Sequence, residues 1–365
     1  MKKTFVDLTY YSFPHNDSNQ ILKACYSTLG FLEEISENYR TFFLARSEHN
    51  LNPTSQGSIQ VFFLKGKMLK NWQIPFKFNA FVTSLKPDYV LVHGFGFAHY
   101  LCLLKLMNPN AKILLQCNGY APNPGGLKKV AYQVSDFFID GYLFTGIENA
   151  ALWYEAGVFN KSKVFDVMEG SSHFKFDPSS TRKKKSYLWV GNLILRKDPI
   201  TTLKAFDGFL KIEPDATLTM IYSETDLYDE VLTFISASEN LKKAVKLEGF
   251  VQHTDLEKVY NHHQFFISAS HQEGSGYALV EAMACGCVPI VTAIAPHRYM
   301  TNSDHCGLLF SAQNDAELLK QLIQSQQIDY LHWQNQVLIQ FEKKLSFKAI
   351  ANRIQDVFQS LYNES

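Results

Sequence analysis

Several large protein classes are excluded by what the chain lacks. Across its 365 residues, no stretch approaches the roughly 18 apolar residues that a membrane span requires. The N-terminus, MKKTFVDLTYYSFPHNDS, begins like a secretory signal but meets Asp7, Tyr10 and Pro14 before any useful apolar run, so a cytosolic location is expected. Cysteine is sparse: the six thiols, at 25, 102, 117, 285, 287 and 306, contain no Cys-x-x-Cys pair. That argues against a zinc site or a disulfide framework and for free, mostly buried thiols. An excess of one charge is missing too. With 35 basic side chains against 35 acidic ones, no overall field favours nucleic acid or an anionic membrane, and any membrane affinity has to be local. Internal repeats and low-complexity segments are absent.

What is present is a globular composition, 46% apolar and 19% charged, in a chain long enough for two domains, each with its own core. The first half alternates strand-like and helix-like stretches: strands at 4–8, 41–45, 60–64, 89–93 and 113–116, with a helix over about 18–37. Further on come a strand at 140–145, a helix at 149–156 and a strand at 164–168. This alternation predicts a doubly wound parallel α/β sheet, whose ligands bind beyond the carboxyl ends of the strands. His93-Gly94 and Asn118-Gly119 follow two such strand ends. His93 is either a satisfied structural histidine or a binding residue. The run from Glu169 to Lys185 has the composition of a linker. Its basic part, Arg182 to Lys185, is either a solvated face or a membrane-surface patch.

The second half alternates in the same way: a strand at 187–190 ending at Gly191, a helix at 200–210, strands at 217–222 and 246–251, and a helix at 255–261. His262 and His263 adjoin on that helix, so their side chains diverge and hold no metal together. The most informative stretch is FFISASHQEGSGYALVEAMACGCVPIVT, residues 265–292. It reads as a buried strand, a glycine loop, a helix starting near Tyr277 and stopped by Gly286, and a second buried strand. Gly274, Ser275 and Gly276 lead into a helix start whose free N–H groups suit a diphosphate. Glu273 and Glu281 flank it as acceptors for hydroxyl groups. Ala295 to Arg298 reads as a loop.

EGSGYALVEAMACGCVPIVT resembles the E-x7-E signature of retaining, GT-B-fold glycosyltransferases of the glycogen-synthase-like class, family 4. The segment GNLILRKD at 191–198 resembles the GRLxxxKG stretch that opens the second domain of those enzymes. Lys197 matches its lysine, Asn192 stands in its arginine's place, and Arg196 adjoins the lysine. The resemblance implies two Rossmann-like doubly wound domains facing a cleft: an acceptor-side domain over 1–178, a donor domain over 186–345, and a C-terminal helix at about 347–362 that crosses back to the first. It implies a retaining hexosyltransferase that uses a nucleotide sugar as substrate and no cofactor. Glu273, Lys197 and Arg196 would act at the sugar and its diphosphate. Glu281, Gly274, Ser275, Gly276, Tyr277, Gly191 and Asn192 would bind the donor, while Phe250 and Val251 would contact the base, with a core role for Phe250 as the alternative. His93, Gly94, Asn118 and Gly119 would serve the acceptor or sugar side.

Many glycosyltransferases hold a metal with Asp-x-Asp, and none occurs here, so a metal-free site is expected. The expected partners are a nucleotide-sugar donor and a saccharide or lipid-linked acceptor of cell-surface polysaccharide or glycoconjugate synthesis, with no nucleic acid. Peripheral contact with the inner face of the membrane is compatible with this reading. Two alternatives stay open: a catalytically silent nucleotide-sugar binder or partner subunit, to which Asn192 and Asn118 point, and a GT-B nucleotide-sugar epimerase.

Overall fold

The computed structural model describes residues 2–66, 73–117 and 125–363. Asn118 and Gly119 therefore lie outside the described residues. The chain divides into two compact units, residues 1–171 with 347–365, and residues 172–346.

Among the described residues the first unit has eight strands: β1 (Thr4–Phe13), β2 (Arg40–Ser47), β3 (Thr54–Gln56), β4 (Ile59–Lys65), β5 (Tyr89–His93), β6 (Lys112–Gln116), β7 (Gly141–Phe144) and β8 (Val164–Asp166). Their order is β3-β4-β2-β1-β5-β6-β7-β8, and only the edge pair β3–β4 is antiparallel. The chain winds outward from β1 in one direction and then from β5 in the other, so the topological switch lies between those two strands. Every residue of β5 is buried, as helices on both faces of a parallel sheet require. The expected 18–37 helix is two, Ser18–Ala24 and Tyr26–Ser36, broken at Cys25, whose φ and ψ of −100° and 17° leave the helical region.

The last helix, Phe347–Asn363, belongs to this unit. Phe358 sets its ring 5.6 Å from that of Phe5 and 4.5 Å from that of Tyr89. Arg353 bonds Asp166 at 2.5 Å. Gly30 marks the helix's close approach: a Cβ there would lie 2.5 Å from the Phe347 ring.

The second unit holds six parallel strands: β9 (Ser186–Val190), β10 (Thr217–Ile221), β11 (Val245–Gly249), β12 (Phe265–Ser268), β13 (Val288–Thr292) and β14 (Leu308–Phe310). In the order β11-β10-β9-β12-β13-β14, the winding reverses between β9 and β12. The carboxyl ends of these two strands are where a sheet of this kind places its ligand.

Three expectations are corrected in this unit. The segment 172–185 is not a free linker. The Arg182 guanidinium donates to the carbonyls of Tyr260, His263 and Cys285 and to Asn261 Oδ1. The Lys183 amide donates to the His262 carbonyl at 3.1 Å, and Lys185 pairs with Glu213 at 2.5 Å. The basic run is thus a strap on its own unit, with Arg182 bonding carbonyls near the ends of two helices. Ala295–Met300 is a short helix with proline in its first turn, not a loop, since proline's fixed φ and missing N–H suit that position. Finally, β11 ends at Gly249 and leaves Phe250 and Val251 in the following turn. His262 and His263 each bond the carbonyl four residues earlier, at 2.6 and 2.7 Å. The six cysteines are free thiols. Among the described residues no helix is long and apolar enough to cross a membrane.

Candidate active site

Two loops at the switch point of the second unit are stitched together side chain by side chain. The loop after β9 makes a single turn at Leu195–Lys197 and reaches Asp198, a left-handed residue with φ of 47°. Asp198 caps the helix Pro199–Leu210, accepting from the Thr201 amide at 3.0 Å and its hydroxyl at 2.7 Å. The same carboxylate takes His271 Nε2 at 2.8 Å. The His271 amide donates to the Arg196 carbonyl at 2.9 Å, and Arg196 Nη1 donates to the Gln272 carbonyl at 2.9 Å. The loop after β12 is therefore held along its length by the loop after β9.

This stitching presents Glu273. The buried carboxylate pairs with Lys197 through one oxygen and with Arg196 at 3.3 Å through the other. Burial alone pushes such a group toward its neutral form. The Lys197 charge and hydrogen bond, helped by Ser270 and His297, outweigh burial and hold the carboxyl below its ordinary value. Glu273 is thus an anion at neutral pH. With two cations on one acid, the cluster keeps one positive charge.

His297 lies buried beside Gly276, near Glu273. A Cβ on Gly276 would meet the His297 ring at 3.9 Å and the Met300 methyl at 3.1 Å, and the backbone there is left-handed, with φ of 60°. Burial pushes the imidazole down to about 4, so it is neutral. Its Nδ1 donates to the Thr292 carbonyl at 2.9 Å, which leaves Nε2 as the acceptor nitrogen. Gly276 opens the helix Tyr277–Ala284, and no side chain caps that helix. Gly274 and Ser275 form the approach to it.

Glu281, in the second turn of this helix, is buried and already bonded at both oxygens. His253 Nε2 lies 2.7 Å from one, and the Tyr260 hydroxyl donates to the other at 3.1 Å. His253, half exposed, stacks on Phe174 with ring centroids 4.8 Å apart. The hydrogen bond and charge of Glu281 raise its pKa against partial burial. His253 also lines an open cavity of about 310 Å³, with Gly191, Asn192, Ser223, Phe250 and Val251 among its walls. Phe250 is 66% exposed, so the core alternative for it is excluded. Asn192 Oδ1 accepts from the Ser223 hydroxyl at 2.8 Å. Gly191 joins the two halves of the site, since a Cβ there would lie 3.6 Å from the Lys197 side chain.

All the residues expected on the donor side are therefore gathered around one helix start and one cavity. His253, Tyr260, His271, Asp198 and His297 are additions that sequence reasoning missed; the cue for His271 was its place two residues before Glu273. In the first unit, His93 Nε2 lies 2.8 Å from the Asp7 carboxylate. Asp7 is fully buried, with Oδ1 unpartnered. Gly94 follows with φ of 98°.

The raised His253 pKa carries a sign. A histidine whose folded value exceeds its unfolded value contributes stability that is fully present below the unfolded value and lost as pH rises through the folded one. Replacing His253 with glutamine should accordingly lower the melting temperature more near pH 6 than near pH 8.5, a contrast that calorimetry at the two pH values measures. An equal loss at both would show that the histidine serves only as a neutral hydrogen-bond donor.

Two parallel α/β units of this topology, the second with a ligand-ready switch point, define the GT-B class of glycosyltransferase folds. Residues 172–329 match the family described as "Glycosyl transferases group 1". The chain is 25% identical over 230 residues to a GDP-mannose:cellobiosyl-diphosphopolyprenol alpha-mannosyltransferase of Xanthomonas oryzae pv. oryzae, covering 61% of this chain and 60% of that one. It thus spans about 60% of that relative's length. Among solved structures, Anabaena HepE in complex with UDP and glucose superposes with a TM-score of 0.65 at 13% identity, over 98% of this chain and 100% of that one. Sucrose-phosphate synthase from Thermosynechococcus elongatus does so with a TM-score of 0.67 at 15% identity, over 100% of both chains. At such identities the structures establish the fold alone.

Proposed function

We propose that the protein is a retaining glycosyltransferase that moves a sugar from a nucleoside-diphosphate donor to a saccharide or lipid-linked acceptor, without a metal ion, in cell-surface polysaccharide or glycoconjugate synthesis. One observation carries the reading. The Lys197–Glu273–Arg196 cluster sits by an uncapped helix start and shares Gly191 with an open, largely apolar cavity. A nucleotide sugar has the same sequence of chemistries: a flat base, a ribose, a diphosphate and a ring of hydroxyls.

In this reading Phe250 and Val251 flank the base, and Asn192 and Glu281 take the ribose side. The amides around Gly274 to Tyr277, with Lys197 and Arg196, hold the diphosphate, and Glu273 accepts from sugar hydroxyls. As the bond from the anomeric carbon to the diphosphate breaks, negative charge grows on the leaving oxygen, and the two cations and the helix start stabilise it. The acceptor oxygen bonds the anomeric carbon from the same face, and its proton passes to the diphosphate oxygen. On the acceptor side the candidates are His93, Gly94, Asn118 and Gly119. Arg196 on the same acid as Lys197 makes up the cation that Asn192 lacks, which favours an enzyme over a silent binder. The diphosphopolyprenol acceptor in the relative's name agrees with a lipid-linked acceptor here.

The test is thermal stabilisation by UDP, GDP and ADP, since a ligand at a hundred times its Kd adds about 2.7 kcal/mol to the folded state. At least one diphosphate should stabilise the protein. Glu281→Ala should weaken that nucleotide by about 1.5–3 kcal/mol, the value of a hydrogen bond to a charged group. If no nucleotide stabilises the wild type, the reading fails.

A further inference from the structure

Glu281 is 5% exposed, and both of its oxygens are occupied, one by His253 and the other by Tyr260. It is also set back from the open cavity beside Gly191. His253 lines that cavity, and Glu281 is not among the described residues that do. A nucleotide entering there meets an imidazole first, with the carboxylate behind it.

The ring is fixed although its side chain is half exposed. Its Nε2 is on Glu281 at 2.7 Å, one face stacks on Phe174, and Phe174 packs on Tyr260 with ring centroids 6.0 Å apart. The tyrosine that holds one oxygen of Glu281 thus also backs the ring that holds His253. Charge points the same way. His253 is the first residue of the helix His253–His262, whose start no side chain caps, and the positive end of a helix disfavours a cation. Of the groups around the ring, Glu281 is the acid bonded to it, Asp255 stands in the same turn, and Tyr260 is kept protonated by burial and the Glu281 charge. Glu281 therefore does what a carboxylate behind a histidine does elsewhere: it keeps the proton on Nε2 and sets the plane of the ring.

The other walls say which part of a nucleotide lies beside the ring. Phe250 and Val251 are apolar walls that suit a base, and Gly191 adjoins Lys197 of the phosphate-side cluster. The ribose hydroxyls are what remain for a hydrogen-bonding side chain. Resting on the sugar-transfer reading, we propose that His253 hydrogen-bonds the ribose of the donor and that Glu281 is its positioning residue. Part of what Glu281 contributes to donor affinity then passes through the imidazole.

Isothermal titration of the full chain with UDP, GDP and ADP tests it. For a nucleotide that binds, His253→Ala should weaken affinity by about tenfold, the value of one hydrogen bond. Glu281→Ala/His253→Ala should be no more than about threefold weaker than Glu281→Ala alone, because removing the carboxylate already releases the ring. A carboxylate that met the ribose by itself, or served the fold alone, would give losses that multiply. Should Glu281→Ala fail to fold, NMR of the wild type decides: the nucleotide should shift the His253 ring resonances and titration midpoint, and Glu281→Gln should lower that midpoint. The assignment is overturned if a nucleotide binds while His253→Ala keeps wild-type affinity, if the two losses multiply, or if the nucleotide leaves the His253 resonances unmoved. If no nucleotide binds the wild type, the donor-site reading fails and this assignment with it.

Discussion

Replacing Glu273 with glutamine should leave nucleoside-diphosphate affinity within about threefold of wild type and lower sugar transfer by about two orders of magnitude. The two effects separate because of where the charges lie. Glutamine keeps the size and one acceptor oxygen for Lys197, so the stitched loops stay closed. Its loss of charge leaves Lys197 and Arg196 without the carboxylate that neutralises part of their field, and a diphosphate beside them gains what Glu273 no longer takes. The sugar, by contrast, loses an ionised acceptor. A hydrogen bond to a charged group contributes about 1.5–3 kcal/mol, and two such bonds to ring hydroxyls, partly made in the ground state, give a loss of roughly 3 kcal/mol in the transition state, about a hundredfold. Steady-state kinetics with the stabilising donor, alongside titration of its nucleoside diphosphate, separates the quantities. Parallel loss of affinity and transfer would instead mean that Glu273 only holds the two loops together.

What could be read beforehand follows from which interactions are local. The start of the helix at Tyr277, its stop at Gly286 and the strands on either side depend on residues within one or two turns, and they lie where periodicity and the glycines put them. The partners of Glu281 do not. His253 and Tyr260 sit on the preceding helix, 28 and 21 residues away, and nothing in that helix's own pattern aims them at a carboxylate. Asp198 and His271 meet because β9 and β12 are neighbours, and strand order is a tertiary fact. Arg182 was misread for the same reason: from composition a basic run is solvated, and only the fold brings three backbone carbonyls to its guanidinium. Ala295–Met300 failed differently. It read as a loop, although the fixed φ of Pro296 suits the first turn of a helix. Cys25 interrupts a helix whose apolar pattern runs through it, so the pattern hid the break.

Lys197→Ala should lower turnover by about 10²–10³, the range found when one preorganised donor is removed from a developing anion, with donor affinity changing by less than about tenfold. Lys197 has two routes to such an effect, and the geometry makes them distinguishable. It can stabilise the leaving diphosphate directly, or it can act through Glu273, whose ionised state depends on it: without Lys197, burial is opposed mainly by the Ser270 hydrogen bond, and the carboxyl shifts toward neutrality. In the second case Lys197→Ala added to Glu273→Gln costs nothing further, because the charge it sustained is already gone. In the first, the double variant is slower than either single one, and the losses add to within the 0.5–3 kcal/mol coupling expected of side chains in contact. The pH profile gives an independent reading. If Lys197 works through Glu273, the variant's activity should recover as pH rises and the carboxyl ionises again, whereas loss of a phosphate cation is not restored at any pH. The expected result is the additive one with no alkaline recovery, because a lysine at the leaving group acts where the charge appears.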